Sequence, residues 1–234
     1  MTFKHSGLRG DLIYGLPTMK ALGGGTLLVN TDGDYLDDVD DVDRFQELLE
    51  GCDYVHGVEK WDGCNPTYDL DAFREMDFVH GLATAHLAAF GVSADLAEPW
   101  LKVEPKHIAD IVVNRTLKYH GLFPWYELKL WQDRCVFVGT EIEYWEFLES
   151  TEIEMPRHQT GSYLELARVI AGSRLFVGNQ SFPYALSEAQ KVPRILEVFS
   201  ACPNCNPVGP RGFTRLTQDI LRRFLKPESK LPLN

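Results

Sequence analysis

No stretch of this 234-residue sequence approaches the roughly 18 consecutive apolar residues of a membrane-spanning helix, so none is expected. Residues 1–11, MTFKHSGLRGD, lack the apolar core of a secretory signal, and cytoplasmic residence is the default expectation. Basic residues are in deficit. Lys and Arg number 23 against 34 Asp and Glu, a formal net charge of −11, which advertises no bulk attraction to nucleic acid. The five cysteines are few and odd in number, which fits a reducing compartment better than a disulfide framework. Cys202-Pro-Asn-Cys205 has redox or zinc-knuckle spacing, but there is no second Cys pair and no spaced His pair. Incidental thiols in a Pro/Asn-rich loop are the favoured reading, and no metal is expected. A G-x-G-x-x-G turn followed by an acidic ribose ligand is missing, which disfavours a nicotinamide enzyme. The absence of a G-x-S-x-G elbow and of a Walker lysine argues against hydrolase and P-loop chemistry. No internal repeat or low-complexity linker is visible.

What is present is an alternation of short apolar runs with helical patterns. Strands are expected at 2–5, 26–30, 54–58, 107–114, 136–139 and 175–177, with a further apolar run ending at Glu197. Helices are expected at 11–22 (kinked or delayed by Pro17), 43–50, 71–90, 141–148, 163–170 and 214–225. This order predicts an α/β protein with largely parallel sheets. The rhythm restarts near residue 105, which sets the expected boundary: 1–105, then 106–213, then a terminal helix and tail at 214–234 that crosses back to brace the first domain. The tail from Pro227 is expected to be disordered. The acidic stretch 32–50 lacks calcium-loop spacing and reads as a solvated loop and helix start. Arg211, Arg215, Arg222 and Arg223 form a candidate basic patch, and Trp125, Trp131 and Trp145 are expected to pack the second domain.

Two turns carry the candidate chemistry. In residues 5–11, HSGLRGD, small residues let the backbone approach a ligand closely, and Asp11 opens a helix. Spacing leaves two roles open for it, an N-cap or a general base. His5 beside the turn either reaches a substrate or is structural. In residues 177–181, VGNQS, Gly178 permits close approach, while Asn179, Gln180 and Ser181 either bind phosphate or cap the next helix. Glu188 on that helix either accepts ribose or sugar hydroxyls or is a surface glutamate.

Residues 6–22, SGLRGDLIYGLPTMKAL, are similar to the N-terminal GD-x-x-x-x-x-P motif of heptosyltransferase-like glycosyltransferases (family 9, GT-B fold). Residues 164–199 resemble that family's donor-site stretch, in which a strand is followed by Asp-Ser/Thr-Gly and then a helix. They also resemble short bacterial and phage proteins carrying a GNQS motif. The resemblance implies a GT-B-like fold of two Rossmann-like domains facing a cleft. It implies an inverting, metal-independent transfer of a sugar from a nucleotide-sugar donor to an acceptor hydroxyl, with no cofactor. Asp11 is then the base, with Gly10 beside the donor phosphates. Arg115 and Lys118 with residues 178–181 hold the diphosphate, and Glu188 the ribose or sugar. A leaving nucleoside diphosphate develops negative charge that such cations stabilise. The acceptor is a glycan or a hydroxymethylated pyrimidine in phage DNA. The sequence departs from the family pattern in having Gln180-Ser181-Phe182 for Asp-Ser/Thr-Gly, and Tyr184 or Ala185 near the usual histidine. The alternative reading is a non-catalytic nucleotide or nucleotide-sugar binding protein.

Overall fold

The computed structural model describes residues 1–31 and 40–225. A first group of strands comprises β1 (Thr2–His5), β2 (Gly25–Val29), β3 (Val55–Lys60) and β4 (Tyr68–Asp69). A second comprises β5 (Ile111–Asn114), β6 (Cys135–Val138), β7 (Arg157–His158), β8 (Leu175–Asn179), β9 (Arg194–Glu197) and β10 (Gly212–Phe213). The first group forms a sheet of order β3-β2-β1-β4 and the second one of order β10-β9-β8-β5-β6-β7. Every pairing is parallel. Strands such as IVVN and CVFV are buried along their whole length, as expected when both faces of a parallel sheet are covered.

The covering helices are α1 (Arg9–Ala21), α2 (Asp40–Leu49), α3 (Leu82–Ala89), α4 (Glu141–Thr151), α5 (Tyr163–Ala171), α6 (Phe182–Gln190) and α7 (Gln218–Leu225). The residue-105 boundary falls in the irregular stretch between α3 and β5. One apolar cluster nevertheless runs across both halves, joining Leu12 and Leu16 of α1 and Phe45 of α2 to Leu166 of α5 and Tyr184 and Ala185 of α6.

Both sheets reverse their strand order at a point that matters. In the first, the chain leaves β1 toward β2 on one side and returns as β4 on the other. In the second, β6 and β8 flank β5 on opposite sides. Open parallel sheets bind ligands beyond the carboxyl ends of strands at such switch points. The strand-end residues there are His5 on β1, Asn114 on β5 and Asn179 on β8.

Several expectations are corrected. Helix α1 starts at Arg9, not later, and continues past Pro17 to Ala21. The expected helix 71–90 is a short 3-10 turn at Leu70–Glu75 followed by α3. Asp77 accepts a 2.8 Å bond from the Val79 N–H, and Gly81 sits at φ 91, a conformation helices do not use. Among the described residues, helix α7 packs on the second half. Its Leu221 and Leu225 bury in a second cluster with Ile111, Val113 and Phe137 of the C-terminal sheet, and the Arg134 guanidinium donates to the Leu225 carbonyl at 2.8 Å. Trp125 is buried and Trp131 is packed against the same cluster, but Trp145 is 57% exposed on α4. Of the acidic stretch, residues 32–39 lie outside the described residues, as does the tail from 227. Asp41, expected in solvent, is fully buried because Arg9 pairs with it.

Candidate functional site

A cleft of about 390 Å³ opens between the two halves, where the N-termini of α1 and α6 meet. The contact is close: a Cβ on Gly10 would lie 3.7 Å from the Ala185 Cβ and 3.9 Å from the Phe182 backbone nitrogen. Of the residues expected at the site, Gly10, Asp11, Lys118, Gln180 and Ser181 line this cleft. Arg9, Tyr14, Glu143, Asn204 and Cys205, none of them in the expected set, line it too.

Asp11 is not the N-cap of α1. Leu8 holds that position and offers no side-chain oxygen, and Asp11 sits three residues on, within the first turn, its carboxyl accepting from the Leu8 N–H. Burial pushes its pKa up to about 6, a rise that Arg74 and the Leu8 bond oppose and Asp71 supports. A carboxylate so placed is mostly ionised at neutral pH yet a stronger base than a free aspartate.

The turn before it is built for closeness. The Gly7 N–H donates to His5 Nδ1 at 2.9 Å, and the Ser6 N–H donates to the Asp71 carboxylate at 2.9 Å. A Cβ on Gly7 would lie 2.6 Å from His5 Cε1 and 3.0 Å from Asp11 Oδ2, so only glycine fits. His5 itself is buried, and burial lowers its pKa to about 4, leaving a neutral ring stacked on Phe73 and tilted against His86. It supports the turn from beneath and is not among the residues that line the cleft, in keeping with the structural one of its two expected roles.

On the other side, α6 begins with a compact set of hydrogen bonds. Ser181 is its N-cap, accepting from the Tyr184 N–H at 3.3 Å and donating to Asn114 Oδ1 at 2.9 Å. Asn179 ties down the loop after β5: its Oδ1 accepts from the Thr116 N–H at 3.0 Å and its Nδ2 donates to the Thr116 carbonyl at 3.2 Å. That loop carries Thr116, Leu117, Lys118 and Tyr119 into the cleft, with Tyr119 at φ 61. Gln180 spends its amide on residues 199–204, donating to the Cys202 carbonyl and Asn204 Oδ1 at 2.8 Å each and accepting from the Phe199 N–H at 2.8 Å. Gly178 lies within the sheet, where a Cβ would stand 2.8 Å from the Asn114 carbonyl oxygen. Its glycine serves strand packing.

Two expected ligands are withdrawn from the cleft. Arg115 is buried, with Nε 2.9 Å and Nη2 3.2 Å from the Glu197 carboxylate and Nη1 3.2 Å from Glu146. Glu188 is 2% exposed and pairs with Arg194 and Lys191, while accepting from the Val208 N–H at 3.2 Å. Buried charges need such partners, and satisfying them consumes the donors and acceptors a ligand would use. Lys118, by contrast, is exposed and has no ion pair among the described residues. Cys205 is a buried free thiol whose pKa burial raises to about 12, so it is a neutral wall of the cleft. Among the described residues no group of three His, Cys, Asp or Glu side chains is placed to hold a metal ion, and no helix is long and apolar enough to cross a membrane.

Sequence comparison is silent: no family model matches the chain, and no curated protein does. Comparison of folds is not. A glycosyl transferase of family 9 from Veillonella parvula superposes with a TM-score of 0.60 at 13% identity, over 96% of this chain and 90% of that one. The chain has a GT-B-like fold. The E. coli heptosyltransferase WaaC, solved with ADP-2-deoxy-2-fluoro heptose, gives a TM-score of 0.58 at 13% identity over 96% of this chain and 98% of that one. The iron-containing heptosyltransferase TibC, solved with ADP-D-beta-D-heptose, gives 0.53 at 13% identity over 90% of this chain and 61% of that one. The likeness of residues 164–199 to phage proteins finds no support in these comparisons.

Proposed function

We propose that this GT-B-like chain is a glycosyltransferase that moves a sugar from a nucleotide-sugar donor to an acceptor hydroxyl. The observation that carries the reading is the seam cleft itself. It holds Asp11, a carboxylate with a pKa near 6, in one cleft with the first turn of α6 and the exposed Lys118. Asp11 takes the proton of the attacking hydroxyl as that oxygen bonds to the anomeric carbon. The bond to the nucleoside diphosphate breaks on the opposite face, which inverts the configuration. The departing charge meets Lys118 and the positive ends of α1 and α6. No step draws on a metal ion. The bound ADP-sugars of the similar folds belong to those proteins and make an ADP-sugar the first donor to test.

A glycan is the favoured acceptor over DNA. The cleft wall mixes Asp11 and Glu143 with Arg9 and Lys118, and Arg211, Arg215, Arg222 and Arg223 are exposed outside its lining, so among the described residues no basic stripe lines it. A non-catalytic nucleotide-sugar binding protein is the second reading. It is favoured by the withdrawal of Arg115 and Glu188 into buried pairs. Incubation with a panel of nucleotide sugars and neutral glycosides, read by mass spectrometry, separates the two. Transfer or donor hydrolysis lost in Asp11→Asn with nucleotide binding retained is the expected result; binding without turnover in the wild type leaves the second reading.

A further inference from the structure

Arg9 stands between the two glycine positions of the first turn, and its side chain is 36% exposed at the cleft wall. One edge of its guanidinium is occupied. Nε donates to Asp41 Oδ1 at 3.1 Å and Nη2 to Asp41 Oδ2 at 2.8 Å. The Tyr163 hydroxyl, arriving from α5 on the other side of the seam, hydrogen-bonds both Arg9 Nε and the Asp41 carboxylate. Asp41 is fully buried, so the cluster fixes the guanidinium from behind. Burial and the neighbouring Asp41 raise the Tyr163 pKa to about 12, so the phenol keeps its proton and donates it to Asp41. The Nη1 group carries no hydrogen bond among the described residues, which leaves the outer Nη1–Nη2 edge of the fork unspent.

The rest of the cleft is short of donors for a polyanion. The Tyr184 N–H of α6 is taken by Ser181, and Pro183 has no N–H, which leaves Phe182 alone in that first turn. Arg115 faces Glu197. The uncapped start of α1 lies alongside, with Arg9 as its first residue.

We propose that Arg9 is the principal phosphate ligand of this cleft, binding a diphosphate through its free Nη1–Nη2 edge while Asp41 and Tyr163 hold the guanidinium in place across the seam. Arg9 suits this role because two parallel N–H donors match two phosphate oxygens, a geometry a lysine does not offer. Because one of its supports comes from α5, phosphate binding also depends on the docking of the two halves. Asp41 and Tyr163 are positioning residues. The inference rests on the nucleotide-sugar reading only for what the diphosphate is attached to.

The test is calorimetric titration of the full chain with inorganic pyrophosphate, ADP and adenosine. Arg9→Met is expected to weaken pyrophosphate and ADP about tenfold to a hundredfold while leaving adenosine binding as it was. Arg9→Lys and Tyr163→Phe fall between that variant and the wild type, since both keep the charge while the first removes the fork and the second loosens it. Should the lone Asp41 charge unfold Arg9→Met, Arg9→Met with Asp41→Asn removes the pair together and serves in its place. Unchanged pyrophosphate affinity, or an equal loss of adenosine binding, overturns the proposal. Pyrophosphate binding through Arg9 with no affinity for any nucleotide leaves the proposal standing and removes the nucleotide-sugar reading. A wild type that binds neither removes both.

Discussion

The indole N–H of Trp100 donates a 3.1 Å hydrogen bond to the carbonyl of Ile13, the helical carbonyl that Pro17 leaves without its partner four residues on. An unpaired buried carbonyl costs free energy comparable to a lost hydrogen bond, so α1 tolerates its proline because the connector between the two sheets supplies a donor. The same connector anchors α6, with the Trp100 and Leu101 N–H groups donating to the Ala189 carbonyl at 3.0 and 3.2 Å. One residue thus ties the helix that carries Asp11 to the helix that Ser181 caps.

Trp100→Phe is therefore expected to destabilise the chain by about 1–3 kcal/mol, most of it from the orphaned Ile13 carbonyl. In a Pro17→Ala background the alanine N–H can take that carbonyl, and the cost of Trp100→Phe should fall by about 0.5–1 kcal/mol. Urea unfolding of the four proteins measures the coupling. Equal costs in both backgrounds would show that the indole stabilises by packing alone.

Asp11 has opposite effects on stability and on turnover. Its folded pKa, near 6, lies above the ordinary 3.8, so folding prefers the protonated form. The stability it contributes is complete below pH 3.8 and is lost as pH rises through about 6. Asp11→Asn should accordingly match the wild type at pH 3.5 and exceed it by about 1–3 kcal/mol at pH 7.5, the gap opening between those limits. Transfer by the wild type should rise with pH through an apparent pKa near 6, and the variant should lose on the order of a hundredfold or more in rate. Thermal melts across pH report the first effect and initial rates the second. A wild type and variant with parallel pH–stability curves would contradict the half-buried, desolvated carboxylate.

The parallel α/β architecture was legible because its signals are local. Apolar runs such as Leu175–Val177, short and bounded by turn residues, read as buried strands, and Gly10-Asp11 and Ser181 mark where strands give way to helices. What the sequence could not display is which charges find each other. Arg115 and Glu197 are 82 positions apart and Arg9 and Asp41 are 32 apart, so a cation at a strand end looks like a ligand until its counter-ion is located. Glu188 was nearer to being readable, since Lys191 and Arg194 follow three and six positions on, but its burial depends on the packing of α6 against β9. Arg9 had a signal too, in its place beside Gly10-Asp11, although nothing local distinguished its outer edge from a solvated side chain.

Arg115 is expected to behave as a structural residue. Arg115→Met strands the fully buried Glu197 carboxylate and should cost about 3–5 kcal/mol, while Arg115→Met with Glu197→Gln recovers a large part of it. In that double variant pyrophosphate affinity should stay within about threefold of the wild type, a difference under 1 kcal/mol. A larger loss there, with the fold intact by circular dichroism, would return Arg115 to the phosphate site.

Pro183 offers a change in the opposite direction. It occupies the first turn of α6, where its ring suits the helix start but withholds one of the backbone N–H groups that would point out of the helix toward the cleft. Pro183→Ala restores that donor without altering any side chain that lines the cleft. One added neutral hydrogen bond to a phosphate oxygen is worth about 0.5–1.5 kcal/mol, so pyrophosphate should bind about two- to tenfold more tightly. Ser181→Ala provides the contrast: it frees the Tyr184 N–H but removes the cap, so any gain in affinity comes with a loss of about 1 kcal/mol in stability. Calorimetry with pyrophosphate on both variants reads the outcome. If neither gains affinity, the α6 terminus does not face the bound anion, and Arg9 and Lys118 carry the phosphate from the other walls of the cleft.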